Sequence, residues 1–411
     1  MDLIIRNAKL RDKQILMDIA IKDEKIVDIG PNLNYSAKNE IDAKGKLTIP
    51  AFIDPHIHLD KVNIVDVVRP NKSGTLMEAI EIIWEKKANY TTDDIVKRAK
   101  EVVEMAVKNG TTRIRTHVDV DTIGGLKPLE GVLELKRKCE HLVDIQIVAF
   151  PQEGIIKNPG CEELLREAMR MGADLIGGMP ANEFSPEDSR KHVKIVFDIA
   201  EEFDADIDMH VDETDDPFYR TLEMVADETI KRSYFKRVTA GHTCALAAYD
   251  DHYAEYVMEK VKKAEINMIT NPATNLMLQG RLDKQPKRRG ITRVKELIER
   301  GINVSFGQDC IKDTFYPFGS ADLLQVALIT AHAAHMSLPH EIEEVFNMPT
   351  YNAAKILRLS DYGLEAGKRA DIVVIDAENI KDAIRLTPPR LFVIRKGKII
   401  AKTEMRSEIL V

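Results

Sequence analysis

Between residues 52 and 307 short apolar runs alternate with long amphipathic segments, and this alternation constrains the fold more than any other feature of the chain. Strand candidates fall at 52–57, 112–118, 145–150, 174–178, 206–211, 237–241, 266–270 and 302–307. The stretches between them, such as DDIVKRAKEVVEMAVKNG and EELLREAMRMGA, carry apolar residues at the 3.6-residue period of a helix, with a glycine at the end. Eight β/α units in series predict an α/β fold, a (β/α)8 TIM-like barrel, with a doubly wound open sheet as the alternative.

The two ends of the chain read differently. LIIRNAKL, ILMDIAIKDEKIVDIG and KNEIDAKGKLTIP alternate apolar and polar side chains between Asn, Asp, Lys and Gly, which is hairpin chemistry. ADIVVIDA (370–377) and LFVIRKGKIIA (391–401) repeat that style. Neither end is large enough to bury a core alone. The expectation is therefore one small β-sandwich domain assembled from 1–51 and 356–411, around a catalytic barrel over 52–355.

A barrel carries its chemistry just past the C-terminal ends of its strands. Polar residues gather there: His56 and His58 at the first strand, His117 and Asp119 at the second, Gln152 and Glu153 at the third. His210, Asp212 and Glu213 follow the fifth, His242 the sixth and Asp309 the eighth. Of 11 histidines, five (His56, His58, His117, His210 and His242) stand at predicted strand ends. In FIDPHIHLDK the first pair sits two residues apart, so a strand would turn both rings to one face. Such a set fits hydrolysis assisted by a bound divalent metal, in which imidazoles and a carboxylate leave one position open for water.

Single residues admit blander roles. His117 reads as a core histidine or a supporting group rather than a ligand. His242 either packs structurally or polarises water and contacts the substrate. Glu213 either caps the following helix or shuttles a proton from three residues beyond His210. Gln152 either faces solvent or uses its amide, which both donates and accepts, on a cyclic amide or pyrimidine edge. Asp54, before Pro55, is expected to shape the entry turn, and His192, His252 and His340 to face solvent.

Charge and cysteine content exclude several classes. A net charge of −8 gives no electrostatic reason to expect nucleic acid or an anionic membrane, and PKRRG (286–290) reads as a solvated loop. The four cysteines form no CxxC pair, which fits a reduced cytosol better than a disulfide framework or zinc ribbon. The first residues lack a signal-peptide pattern, and no run of about 18 apolar residues occurs. A cytoplasmic protein with a small-molecule substrate is the expectation.

PHIHLD, RTHVDVD, FPQEGI, HVDETDD, GHTCA, LQGRLDKQPKRRGITRVKEL, and GQDC followed by FYPFGSADLLQ together resemble the amidohydrolase superfamily and, within it, the cytosine deaminase group. The resemblance spans nearly the whole chain. It implies one divalent metal, iron or zinc, held by His56, His58, His210 and Asp309. It also implies substrate contact from Gln152, a proton shuttle in Glu213, His242 acting beside the attacking water, and a terminal β-sandwich. Hydrolytic deamination of cytosine or a 5-substituted cytosine would follow, in a homo-oligomer.

The sequence departs from that pattern at three positions. Cytosine deaminases of this type carry two consecutive acids where this chain has Asp309-Cys310, and a histidine where it has Gln308; Met277 replaces a polar residue. Losing the second acid removes a charge near the substrate ring, so Cys310 and Phe315 are expected to line a pocket that tolerates a substituent. An N-alkylamino-triazine, isoguanine or creatinine, or a cyclic amide that is opened, are the alternative substrates. A metal-free assembly scaffold is disfavoured, because every expected ligand is present.

Overall fold

In the computed structural model, which describes residues 1–410, each of the eight strand candidates forms a strand of one parallel sheet. Five strands precede them: β1 (Leu3–Ala8), β2 (Met17–Lys22), β3 (Lys25–Gly30), β4 (Asn39–Asp42) and β5 (Leu47–Pro50). The sheet then comprises β6 (Phe52–Ile57), β7 (Thr111–Asp119), β8 (Asp144–Phe150), β9 (Leu175–Gly178), β10 (Asp206–Val211), β11 (Val238–His242), β12 (Asn267–Thr270) and β13 (Val304–Phe306). Spatial order follows chain order, as successive crossovers of one hand produce. The helix Thr92–Lys108 shows how a connection is built: Thr91 accepts from the Asp94 amide at its start, and Ile95, Ala99, Val102, Val103 and Ala106 are buried. With both faces of the sheet covered, β7 is buried along its whole length.

The ring closes where the chemistry was expected. Ile57 pairs in parallel with Asp309, the Asp309 amide donates to the His56 carbonyl at 2.8 Å, and the His58 amide donates to the Asp309 carbonyl at 3.3 Å. Gly307 makes this approach sterically feasible, since a β-carbon there would lie 2.5 Å from the His56 carbonyl oxygen. Gly307→Ala is therefore expected to cost about 1–3 kcal/mol of stability through overpacking, read as a lower midpoint in thermal unfolding. β6 also carries an irregularity: Asp54 pairs with Ile114 but Ile57 with Thr116, so one extra residue is accommodated. Pro55, which has no amide hydrogen to give the ladder, lies inside it.

The chain ends form two four-stranded sheets, completed by β14 (Ile372–Ile375), β15 (Arg390–Arg395) and β16 (Lys398–Lys402). One has the order β3-β2-β1-β4 and the other β16-β15-β14-β5, so the N-terminal segment feeds both. Leu3, Ile5, Ile19 and Ile21 share an apolar cluster with Ile372, Val374 and Ile394. The alternate residues of β14, Val373 and Ile375, belong instead to the barrel cluster with Leu47 and Ile49. That double burial explains why IVVI is continuous rather than alternating. No helix among the described residues is long and apolar enough to cross a membrane, and all four cysteines are buried and unpaired.

Candidate active site

His56 lies within β6, His58 just past its end, His210 within β10, and Asp309 beyond β13. One nitrogen or oxygen from each of the four lies within 4.8 Å of the others. Asp309 Oδ1 is 3.5 Å from His56 Nε2 and 3.4 Å from His58 Nε2, and the Nε2 atoms of His58 and His210 face one another at 3.1 Å. Asp309 adopts φ 64° and His242 φ 66°, left-handed conformations that cost energy in residues other than glycine and concentrate at functional sites. Both nitrogens of His56, Nδ1 of His58 and of His210, and Oδ2 of Asp309 are buried without a hydrogen-bond partner. Buried polar atoms left unpaired are expensive unless something else satisfies them. Three imidazoles and a carboxylate converging on one point are the donor set of a divalent cation such as iron or zinc, and the residues fit it.

Electrostatics support the same use. Burial, reinforced by the surrounding histidines, pushes His210 well below the ordinary imidazole value, and burial takes His58 and His242 down to about 3. These rings are neutral, the state in which His58 and His210 can bind a metal. Burial alone would raise the Asp309 carboxyl, but the His56 and His58 rings, their Nε2 atoms 3.5 and 3.4 Å from its Oδ1, hold it well below the usual range. Glu213 moves the opposite way: burial, then the charge of Asp309, raises it well above an ordinary carboxyl. Two carboxyl groups in one pocket are thus pushed in opposite directions, the division an acid–base pair requires.

Glu213, His242 and Asp309 form a second close group. Asn275 Nδ2 donates to Glu213 Oε1 at 3.1 Å, and His242 Nδ1 lies 3.2 Å from the same oxygen, leaving Oε2 to carry the proton. Asn271 Nδ2 contacts His242 Nε2 at 3.1 Å. The helix cap that Glu213 could have supplied comes from Asp212, whose carboxylate accepts from the Thr221 and Leu222 amides. His117 sits behind the centre, with Nε2 3.2 Å from Asp208 Oδ1 across the barrel and its ring 4.2 Å from that of His56.

Gln152, Cys310 and Phe315 line a small pocket at the strand ends, with His58, Phe150, Met179, His210, Glu213, Thr274 and Asp309. The Cys310 thiol is buried, 3.7 Å from Asp309 Oδ1, in an apolar cluster with Ala273 and Tyr316. Met277 is exposed on the helix Pro272–Leu278 and is absent from that lining. Asp54 shapes the turn as expected, its Oδ1 accepting from the His56 and Gln308 amides.

One expectation is corrected. His252 and His340 are exposed, but His192 is fully buried rather than solvent-facing. Its Nδ1 lies 2.7 Å from Glu183 Oε1, and its Nε2 accepts from the Met179 amide at 3.0 Å. Glu183 also accepts from the Ile155, Ile156 and Lys157 amides, so this pair ties the loop after β8 to the end of β9.

Sequence reasoning also passed over two lysines. Lys87 Nζ reaches Asp121 Oδ2 at 2.5 Å, Glu153 Oε1 at 2.6 Å and Asp119 Oδ2 at 3.2 Å. The three carboxylates resemble a cation site, but the cation they hold is this ammonium. Lys61 Nζ bonds Asp119 Oδ1 at 2.5 Å and Gln152 Oε1 at 2.6 Å. Burial alone would strip the Lys61 charge, but Asp119 and Asp60 more than offset it. Asn271 and Asn275 were missed as well; their place directly after β12 was the available signal.

Residues 39–403 match the amidohydrolase family. Among curated proteins, the chain is 34% identical to an N-isopropylammelide isopropyl amidohydrolase of Pseudomonas sp. strain ADP, over 98% of each chain. It is 30% identical to a pterin deaminase of Rhizobium rhizogenes, covering 94% of this chain and 88% of that one. Among solved structures, a 5-methylcytosine deaminase from Klebsiella pneumoniae, liganded with 5-fluorocytosine, superposes with a TM-score of 0.95 at 39% identity over 99% of both chains. The chain belongs to the amidohydrolase family, resembles the cytosine deaminases within it, and is a hydrolase acting on C–N bonds.

Proposed function

We propose that this enzyme deaminates cytosine and 5-substituted cytosines, with 5-methylcytosine as the preferred substrate, releasing ammonia. Cys310 carries the reading. Where the related deaminases place a second acid beside the last ligand, this pocket has a buried thiol packed on Ala273 and Tyr316. A carboxylate there would need a polar partner, whereas a thiol accepts a methyl group on the ring. The 39% identity to a 5-methylcytosine deaminase supports the same choice.

A divalent ion on His56, His58, His210 and Asp309 would supply water acidified toward neutrality. The ionised Asp309, with the neutral His242 beside it, takes the proton from the attacking water. Glu213 donates its proton to the ring nitrogen next to the carbon that carries the amine; the carboxylate so formed takes the proton of the hydroxyl added to that carbon and passes it to the departing amine, and the proton held by Asp309 restores Glu213. Water is thereby added across the C–N bond, ammonia leaves, and a carbonyl remains. Phe150 and Phe315 give the pocket aromatic walls.

The test is ammonia release from cytosine and 5-methylcytosine by the wild type and by Cys310→Asp. The variant is expected to lose roughly tenfold or more of the preference for 5-methylcytosine, the scale on which one methyl group is discriminated. An unchanged preference would contradict the role of Cys310. Alkylamine release from an N-alkylamino-triazine is the second reading, favoured by the 34% identity to the ammelide enzyme, and assaying alkylamine release from such a triazine beside the two pyrimidines decides it.

A further inference from the structure

The motif FIDPHIHLDK ends in Lys61, a fully buried cation that no catalytic step uses. Its ammonium has hydrogens to give and no lone pair to receive one, so the atom of Gln152 that faces it at 2.6 Å must be the carbonyl oxygen. The amide NH2 then points the other way. Gln152 Nε2 has no partner within the protein, although the residue is only 4% exposed and lines the pocket. The backbone is fixed too, since Asn182 Nδ2 donates to the Gln152 carbonyl at 2.6 Å. Lys61 is held in turn by Asp119, whose second oxygen is taken by Lys87. A free glutamine could offer either face of its amide to a ligand; this one has a single face left.

We propose that Lys61 sets the hydrogen-bond polarity of the substrate pocket. By holding Gln152 Oε1 it presents the amide as a donor, so the site selects a ring whose contacting edge carries an oxygen acceptor and rejects one with an amino group there. Lys61 is a positioning residue and touches no reacting atom. The inference rests on the deaminase reading.

The test compares cytosine with 2,4-diaminopyrimidine, which keeps the amino group to be released but replaces the exocyclic carbonyl oxygen with a second amine. Wild type is expected to prefer cytosine by about 10^3-fold or more in kcat/KM, because a site built to donate to an oxygen penalises a partner that cannot accept. Lys61→Met frees the amide to turn over, and the preference should fall at least tenfold, mainly through KM, with kcat for cytosine and bound metal little changed. Lys61→Arg, which keeps a donor, should retain the preference. A metal-bound Lys61→Met enzyme with unaltered preference overturns the inference. So does a wild type that treats the two rings alike, a result that needs no variant to fold. Absence of ammonia from either ring with metal-loaded wild type is a different failure: it removes the deaminase reading and this inference with it.

Discussion

Replacing His210 with alanine is expected to strip most of the bound metal and to lower ammonia release by at least about 10^3-fold, because the metal supplies the nucleophile. His210 projects from β10 toward ligands at the other side of the barrel, and its Nε2 is 3.1 Å from that of His58. His242, the nearest other imidazole with ring centroids 4.5 Å apart, is already engaged by Asn271 and Asn275. His117→Ala is the control. It removes a buried ring with its partner Asp208 but no member of the four-ligand group, so metal content should stay close to that of the wild type. Metal analysis of both purified variants, alongside their ammonia release, separates a ligand from a supporting histidine.

Glu213→Gln is expected to retain metal and substrate affinity while kcat falls by about 10^3-fold, the usual worth of a positioned acid. The substitution keeps the shape of the side chain and an oxygen for Asn275, which now donates to Glu213 Oε1 at 3.1 Å. What disappears is the proton that burial and the charge of Asp309 keep on this carboxyl. A loss confined to kcat marks a group used in the transition state, whereas a parallel rise in KM would mark one that merely binds.

Much of this site was legible in the sequence because barrel geometry converts chain position into spatial position. A switch from period 2 to period 3.6 marks each strand and helix, and the residue after a strand must lie at the mouth. His56, His58, His210 and Asp309 could therefore be gathered at the barrel mouth with the other strand-end residues although up to 253 residues separate them, and the resemblance to the amidohydrolases singled them out as ligands. Lys61 and Lys87 were illegible for the complementary reason. Lysine is ordinarily a surface residue, and only the fold reveals that Asp119, Asp121, Glu153 and Gln152 converge on these two. His192 was misread similarly: its helical position looked exposed, and the partner that buries it, Glu183, comes from the preceding loop. The closure at Gly307 is likewise a property of two backbones meeting, which no periodicity records.

Metal dependence of ammonia release from 5-methylcytosine tests the central claim most directly. The purified enzyme is stripped with a chelator, assayed, and assayed again after titration with iron or zinc. Activity should vanish on stripping and return in proportion to metal bound, reaching its plateau at a single ion per chain. Undiminished release from metal-free enzyme, or none from enzyme carrying that ion, would contradict it.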